Sequence, residues 1–334
     1  MRPGQDIDPA AAGVGCPQSW YLVAAADDLG PGRILAAEVG GEELVVYRGG
    51  LDGRARAMAA HCAHLGAHLK HGRVTGDGIR CALHHRVFDG DGACRGIPGA
   101  RPEGAALRQA TFPVVERFGG VWVFLGDGDP FEFPVPALAR AGEVATRLIA
   151  PRRFPLPWSV LIANGCDIDH LQTVHHRRLR AEPELLRPAP HRMEVAYEAS
   201  VTGRGLSDRL MRRLAGDRIR ARISCLGGSL MIVESALGDR QSFLMLSMVP
   251  GTGGTTIRGV AGVAGPPGLG GRLKARLAAW LFTSFLERDV EFLEGLRLTR
   301  PPVEVTLGDR FMSRVFDYLE GVPMYRGRRD GTAA

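Results

Sequence analysis

The chain has 334 residues, 45% of them hydrophobic, and a net charge of +6. That length allows two domains with ordinary cores, and the composition argues against a disordered or fibrous protein. Six cysteines, at 16, 62, 81, 94, 166 and 225, are too few and too irregularly spaced for a disulfide scaffold. Met1 to Trp20 carries no continuous apolar core, and Val14-Gly15-Cys16 is a chance likeness to a lipobox. The apolar run Leu277 to Phe282 is far short of the ~18 residues that span a bilayer, so a cytoplasmic protein with no membrane span is expected. The positive charge is arginine, grouped at Arg152-Arg153, Arg177-Arg178-Arg180, Arg212-Arg213 and Arg218-Arg220-Arg222. No aromatic-interleaved basic stripe accompanies it, which argues against nucleic acid. Most of these arginines read as a solvated face; a docking surface for an acidic protein partner is the sharper reading.

In chain order, a Gly/Pro-rich tail precedes short strand-forming runs at 20–23, 34–39, 44–47, 55–59, 114–115 and 121–125, with Gly/Asp turn signals between them. These predict a small all-β domain over 18–129. Asp129-Pro130-Phe131-Glu132-Phe133-Pro134-Val135-Pro136 reads as a linker, with the boundary near residue 130. Beyond it, a helix is predicted over Asn164–His176 and strands over 193–201, 218–225, 229–236, 242–249 and 255–263. A long helix follows from about Gly271 to Leu298. Strands with a few helices, without βαβ alternation, predict an α+β fold for 130–334 with a central antiparallel sheet.

Six of the ten histidines fall between His61 and His85, together with two ligand pairs, Cys62-x-His64 and Cys81-x2-His84. Thiolate and imidazole together could serve a structural zinc, but zinc modules usually separate the Cys pair from the His pair. Here each pair holds one of each. That suits a Rieske centre, with two cysteines on one iron and two histidines on the other. Gly66 and Gly72 permit tight loops around such a group. The stretch resembles the Rieske pattern, with Gly66 after the first pair and Phe88-Asp89-Gly90 after the second. The resemblance implies a [2Fe-2S] cluster held by Cys62, His64, Cys81 and His84. It departs from the usual oxygenase forms, Cys-Pro-His-Arg-Gly and Cys-Pro-x-His-Gly-Trp, at Ala63, Leu65, Ala82, His85 and Arg86, none of them a ligand. Ala67 and Leu83 stand where respiratory Rieske proteins carry a disulfide, so the likeness is to the lower-potential, oxygenase-type cluster. His61, His68, His71 and His85 are read as surface residues or loop hydrogen-bonders.

Farther on, Asp167-x2-His170-x4-His175 follows Asn164. Asp167 and His170 share a helix face. His170 and His175 do not, because five residues turn an α-helix ~140° past alignment. If both grip one metal, the helix must end, kink or take a π-bulge between them, and such a break is predicted. Two histidines on a polar helix without metal is the plainer reading. The motif also resembles the mononuclear-iron motif of Rieske non-haem iron oxygenases, such as ketosteroid 9α-hydroxylases, vanillate O-demethylases and sterol C7-desaturases. That resemblance makes His170 and His175 ligands of Fe(II), His176 a bystander, and Cys166 and Asp169 structural.

In the late helix, Leu281, Phe285, Phe292 and Leu296 form an apolar stripe with Asp289 in its middle and Glu287, Glu291 and Glu294 opposite. A carboxylate on a core-facing stripe needs a cation. An arginine would serve, as would an iron completing a 2-His-1-carboxylate triad with positions open for O2. The family's Glu/Gln-Asp-x4-Glu helix is matched by Arg288-Asp289-x4-Glu294 at all but its first position.

The resemblance, over roughly 18–320, implies an oxygenase alpha component. Electrons pass from the cluster to the mononuclear iron, where O2 hydroxylates a hydrophobic organic substrate, steroid-like or aromatic; O-demethylation and desaturation are the alternatives. It also implies a homotrimer in which Asp167 bridges His84 of one subunit to His170 of the next. The chain shows no dinucleotide fingerprint, so an NAD(P)H-dependent reductase or a ferredoxin is expected to supply electrons, with the arginine surface as its docking face. A non-enzymatic Rieske electron-transfer protein, the competing reading, would have no use for His170, His175 and Asp289.

Overall fold

The computed structural model describes residues 16–98, 107–215 and 218–327. The Gly/Pro-rich tail, with Val14 and Gly15 of the lipobox-like triplet, lies outside them. All strand pairings among the described residues are antiparallel. In the N-terminal part, Ile34–Val39, Glu42–Arg48, Ala55–Ala59 and Thr111–Phe112 form one sheet, and Val114–Arg117, Gly120–Leu125 and Ser19–Ala25 a second. A small third sheet, Arg73–Thr75, Gly78–Arg80 and Val87–Phe88, lies between the two Cys/His pairs and just after them.

The strand Glu42–Arg48 shows how the sequence places the cluster loops. Successive side chains leave a strand on opposite faces. Leu44 and Val46 enter a core with Val39 and Val123. Val45 and Tyr47 enter another with Met58, Leu69, Ile79, Cys62 and Cys81. Buried on both faces, this strand reads as a continuous apolar run.

The C-terminal part is an eight-stranded antiparallel sheet in the order 144–154, 254–264, 240–251, 230–237, 218–226, 192–201 and 177–179, with 184–189 also paired to 192–201. Among the described residues six helices accompany it: α1 (Ala137–Ala141), α2 (Trp158–Cys166), α3 (Ile168–Thr173), α4 (Leu206–Ala215), α5 (Leu269–Leu293) and α6 (Leu307–Glu320). Trp158, Leu161 and Ile162 of α2 and Phe311, Val315 and Phe316 of α6 share the main core with Ile223, Met231 and Leu246 of the sheet. The stretch 129–136 is strapped down: Phe131 and Phe133 pack with Trp20, Trp122 and Phe124, and the Trp20 indole N–H donates to the Phe131 carbonyl at 2.9 Å. Among the described residues, no helix is long and apolar enough to cross a membrane.

Three expectations need correction. The predicted helix over 164–176 is two helices, because Asp167 ends α2 and caps α3. The late helix begins at Leu269 and ends at Leu293, ahead of Gly295 with its φ of +73°. Its core-facing stripe is Leu281, Phe285, Leu286, Asp289 and Leu293; Phe292 is 56% exposed, and Leu296 packs on the core from past the helix end. The strand 144–154 was not foreseen, since Pro151 sits at a bulge between Ile149 and Arg152 that breaks its alternation. Helix α6 was not foreseen either, although its capping box is a local signal: Thr306 Oγ1 accepts the Asp309 N–H at 3.0 Å, and Asp309 accepts the Thr306 N–H at 2.8 Å.

Candidate metal centres

The two N-terminal loops repeat one backbone pattern. In the first, the Cys62 carbonyl accepts the Gly66 N–H at 2.8 Å and the Cys62 N–H donates to the Ala67 carbonyl at 2.9 Å. In the second, the Cys81 carbonyl accepts the His85 N–H at 3.1 Å and the Cys81 N–H donates to the Arg86 carbonyl at 2.9 Å. The fourth residue after each cysteine has positive φ, +74° at Gly66 and +59° at His85. His85 therefore occupies a left-handed position that favours glycine. The loops set Cys62 and Cys81 in the core, at 4% and 2% exposure, with His64 and His84 outside it, their rings edge to face at 4.9 Å.

Burial pushes the Cys62 thiol up, the His64 backbone N–H pulls it back down, and the neighbouring Cys81 sulfur raises it again. Two buried thiols facing each other gain by ionising only around a cation, and two outward imidazoles complete the donor set of a Rieske centre. Of the other histidines here, His61 spans the Glu43 carboxylate at 2.6 Å and the Gly66 carbonyl at 3.0 Å, and His68 Nδ1 accepts the Lys70 N–H at 3.1 Å. Gln109, only 3% exposed, clamps the first loop: it accepts the Ala63 N–H at 2.8 Å and donates to the Ala59 and His61 carbonyls at 2.8 and 2.9 Å. A buried glutamine has no sequence signature, and its role emerges only from the tertiary contacts.

In the C-terminal part, Asp167 Oδ1 accepts the Asp169 and His170 N–H groups at 2.9 and 3.0 Å, so its carboxylate fixes the first turn carrying His170. Helix α3 ends before His175. The His170 carbonyl accepts both the Val174 N–H at 2.9 Å and the His175 N–H at 3.4 Å, a closing turn with one π-type bond. His170 and His175 thereby reach the same place, their rings perpendicular at 4.8 Å. Asp289 of α5 meets them there: its Oδ1 lies 2.8 Å from His170 Nε2 and 2.9 Å from His175 Nε2. The three donor atoms lie within 4.8 Å of one another.

Burial raises the Asp289 carboxyl, but the two imidazoles outweigh it and hold it below the usual carboxylate range. The His175 Nδ1 atom is buried with no hydrogen-bond partner, and its ring stacks on Phe285 at 4.7 Å. Two imidazoles and one carboxylate, buried and convergent, are the donor set of a divalent transition metal with open positions. His176, exposed and with φ +54°, turns away from the site. Cys166 is buried, 3.6 Å from the Cys225 sulfur, and Asp169 lies against Gly308 of α6.

The triad forms part of the wall of a cavity of about 490 Å³. Ile223, Met231, Val233, Leu244, Leu281 and Phe282 give it an apolar lining, and Asp239, Arg240, Gln241 and Lys274 add polar groups. Of the arginine clusters, Arg177 proves not to be a surface residue: it is 2% exposed and paired with the buried Asp208 at 3.0 Å.

Residues 19–116 match the family model for the Rieske [2Fe-2S] domain. A cholesterol 7-desaturase of Bombyx mori is 34% identical over 172 residues, 50% of this chain and 37% of its own length. The probable oxygenase component of a 3-ketosteroid-9-alpha-monooxygenase of Rhodococcus rhodochrous is 33% identical over 129 residues, 38% of this chain and 32% of its own. The chain thus matches less than half the length of these curated relatives. Among solved structures, dicamba monooxygenase bound to dicamba aligns over 92% of this chain and 97% of its own with a TM-score of 0.69; at 20% identity this shows the fold.

Proposed function

We propose that this chain, with its Rieske [2Fe-2S] domain and the fold of a Rieske oxygenase alpha component, is a terminal oxygenase acting on a hydrophobic organic substrate. The observation that carries this reading is the convergence of His170, His175 and Asp289 on one wall of an apolar cavity. Cys62, His64, Cys81 and His84 would hold a [2Fe-2S] cluster, and His170, His175 and Asp289 a mononuclear Fe(II). When bound there, the cluster would supply one-electron transfer and the Fe(II) would supply O2 activation.

The chain's own residues do the rest. Cys62 and Cys81 keep one side of the cluster site dry, while the more exposed His64 and His84 face the route by which electrons pass. Met231, Val233, Leu244 and Phe282 exclude water from the substrate, and a steroid-like or aromatic skeleton suits such walls. Asp167 holds the turn of His170 through one oxygen, and its other oxygen is assigned the bridge to His84 of the next copy in a homotrimer. The multi-component relatives support a reductase or ferredoxin as electron donor, and the protein is read as cytoplasmic, with its domains divided near residue 130.

Iron and sulfide analysis tests the reading. Three irons and two sulfides per chain, with O2-dependent product formation when a surrogate reductase and NADH are supplied, are expected. Two irons, with no uptake of a third, would reduce the chain to an electron carrier.

A further inference from the structure

Behind the triad, beside Phe285, lies a largely buried ionic chain. Arg177 and Asp208 are 2% and 1% exposed. Arg177 Nη1 donates to Asp208 Oδ1 at 3.0 Å, and Arg288 Nη2 donates to Asp208 Oδ2 at 2.9 Å and to Ser207 Oγ at 3.2 Å. Asp208 lies on α4, whereas Arg177 directly follows His175-His176 and Arg288 directly precedes Asp289. The chain of charges therefore ties together the two segments that supply the donors.

Each end acts on a named neighbour. Arg177 Nη1 also donates to the His175 carbonyl at 2.7 Å and the His176 carbonyl at 3.3 Å. Its guanidinium sits 4.8 Å from the centre of the Phe285 ring, the same ring that stacks on His175. Because His175 Nδ1 has no hydrogen-bond partner, that stack and the held backbone orient the imidazole. At the other end, Arg288 pins the turn of α5 that presents Asp289. Close approach of the 203–205 segment completes the site: the Gly205 N–H donates to Asp208 at 3.2 Å, and a Cβ on Gly203 would lie 2.3 Å from the same carboxylate.

A buried ion pair contributes little net stability over an apolar replacement of the same volume, and its best-attested use is to specify one arrangement. We propose that Asp208, through Arg177 and Arg288, is a positioning residue that sets the spacing of His175 and Asp289 without touching either donor. The proposal rests on reading His170, His175 and Asp289 as a metal triad. It also accounts for Arg288 where the family pattern has Glu or Gln: here the position bonds to α4.

Co(II) binding to the chain with its cluster oxidised, followed by equilibrium dialysis and the high-spin Co(II) electron paramagnetic resonance signal, tests it. Asp208→Asn is expected to weaken Co(II) binding about tenfold to a hundredfold and to alter that signal. The reduced-cluster signal and cooperative melting should persist, showing that the rest of the protein is intact. Arg288→Gln, at a partly exposed side chain, should weaken binding in the same direction, and Arg288→Lys should restore part of it by keeping a cation on Asp208. Wild-type affinity and an unchanged signal in Asp208→Asn would overturn the positioning role. If that variant does not fold, the Arg288 pair decides: Arg288→Gln indistinguishable from wild type overturns the role, and Lys rescue of a weakened Gln variant supports it. Co(II) uptake that survives Asp289→Ala at wild-type affinity would overturn the metal triad and the positioning role together.

Discussion

The loops around Cys62 and Cys81 take their shape from the backbone. Each cysteine is held by its own N–H and carbonyl, within a few residues, and each turn closes at a positive-φ residue. The triad is held the other way. His170 and His175 are local to each other, but Asp289 arrives from 119 residues beyond His170, and packing of α5 decides whether the three meet. The first kind of site survives small shifts between sheets and helices. The second is only as accurate as the contacts that register one element against another, which is why a buried ionic chain beside it matters.

The comparison can be broken most directly at Asp289. Asp289→Ala should lose the third iron and more than about 100-fold of turnover while the cluster signal stays unchanged, because the core beneath the N-terminal loops is built, among the described residues, from their own strands and not from α5. Loss of the cluster signal as well would show that the two regions are not separable. Asp167→Asn comes next. Asparagine is as good an N-cap as aspartate, so both metals should remain bound while turnover falls by about 100-fold through loss of the bridge. Normal turnover would refute the bridge and leave Asp167 a cap.

Gln109→Ala probes a buried side-chain clamp in the backbone-built region. It strands the Ala63 N–H and two carbonyls, and should cost about 2 kcal/mol in chemical denaturation. A neutral result would show that the loop holds itself. His85→Gly relieves a left-handed L-residue and should change stability by less than about 1 kcal/mol, in the stabilising direction, as read by thermal melting; a large loss would reveal a role for the imidazole.

The smallest effect belongs to the exposed His61–Glu43 pair, where hydrogen bonding raises the His61 pKa and lowers that of Glu43. For His61 the contribution is full below its ordinary value of 6.5 and is lost as pH rises through the raised one. For Glu43 it is full above its ordinary value of 4.5 and is lost as pH falls through the lowered one. The melting difference between wild type and Glu43→Gln should therefore be greatest near about pH 5.5 and shrink by about pH 9. A difference independent of pH would remove the ion pair from the account.

What the amino-acid order determined by itself is whatever is short-range. The Cys-x-His and Cys-x2-His pairs, the turns between them, the antiparallel strands and the need for a break between His170 and His175 all follow from spacing and backbone geometry over a few residues. Asp289 is legible as a misplaced charge on an apolar stripe, although Phe292 turns out to face solvent and Leu296 packs on the core from beyond the helix end. The tertiary structure alone decided where the stripe points, that Gln109 reaches the first loop, and that Arg177, read from composition as one of a surface cluster, is buried against Asp208. Periodicity reports which face of an element is apolar, but the partner across that face is chosen by packing between segments far apart in the chain.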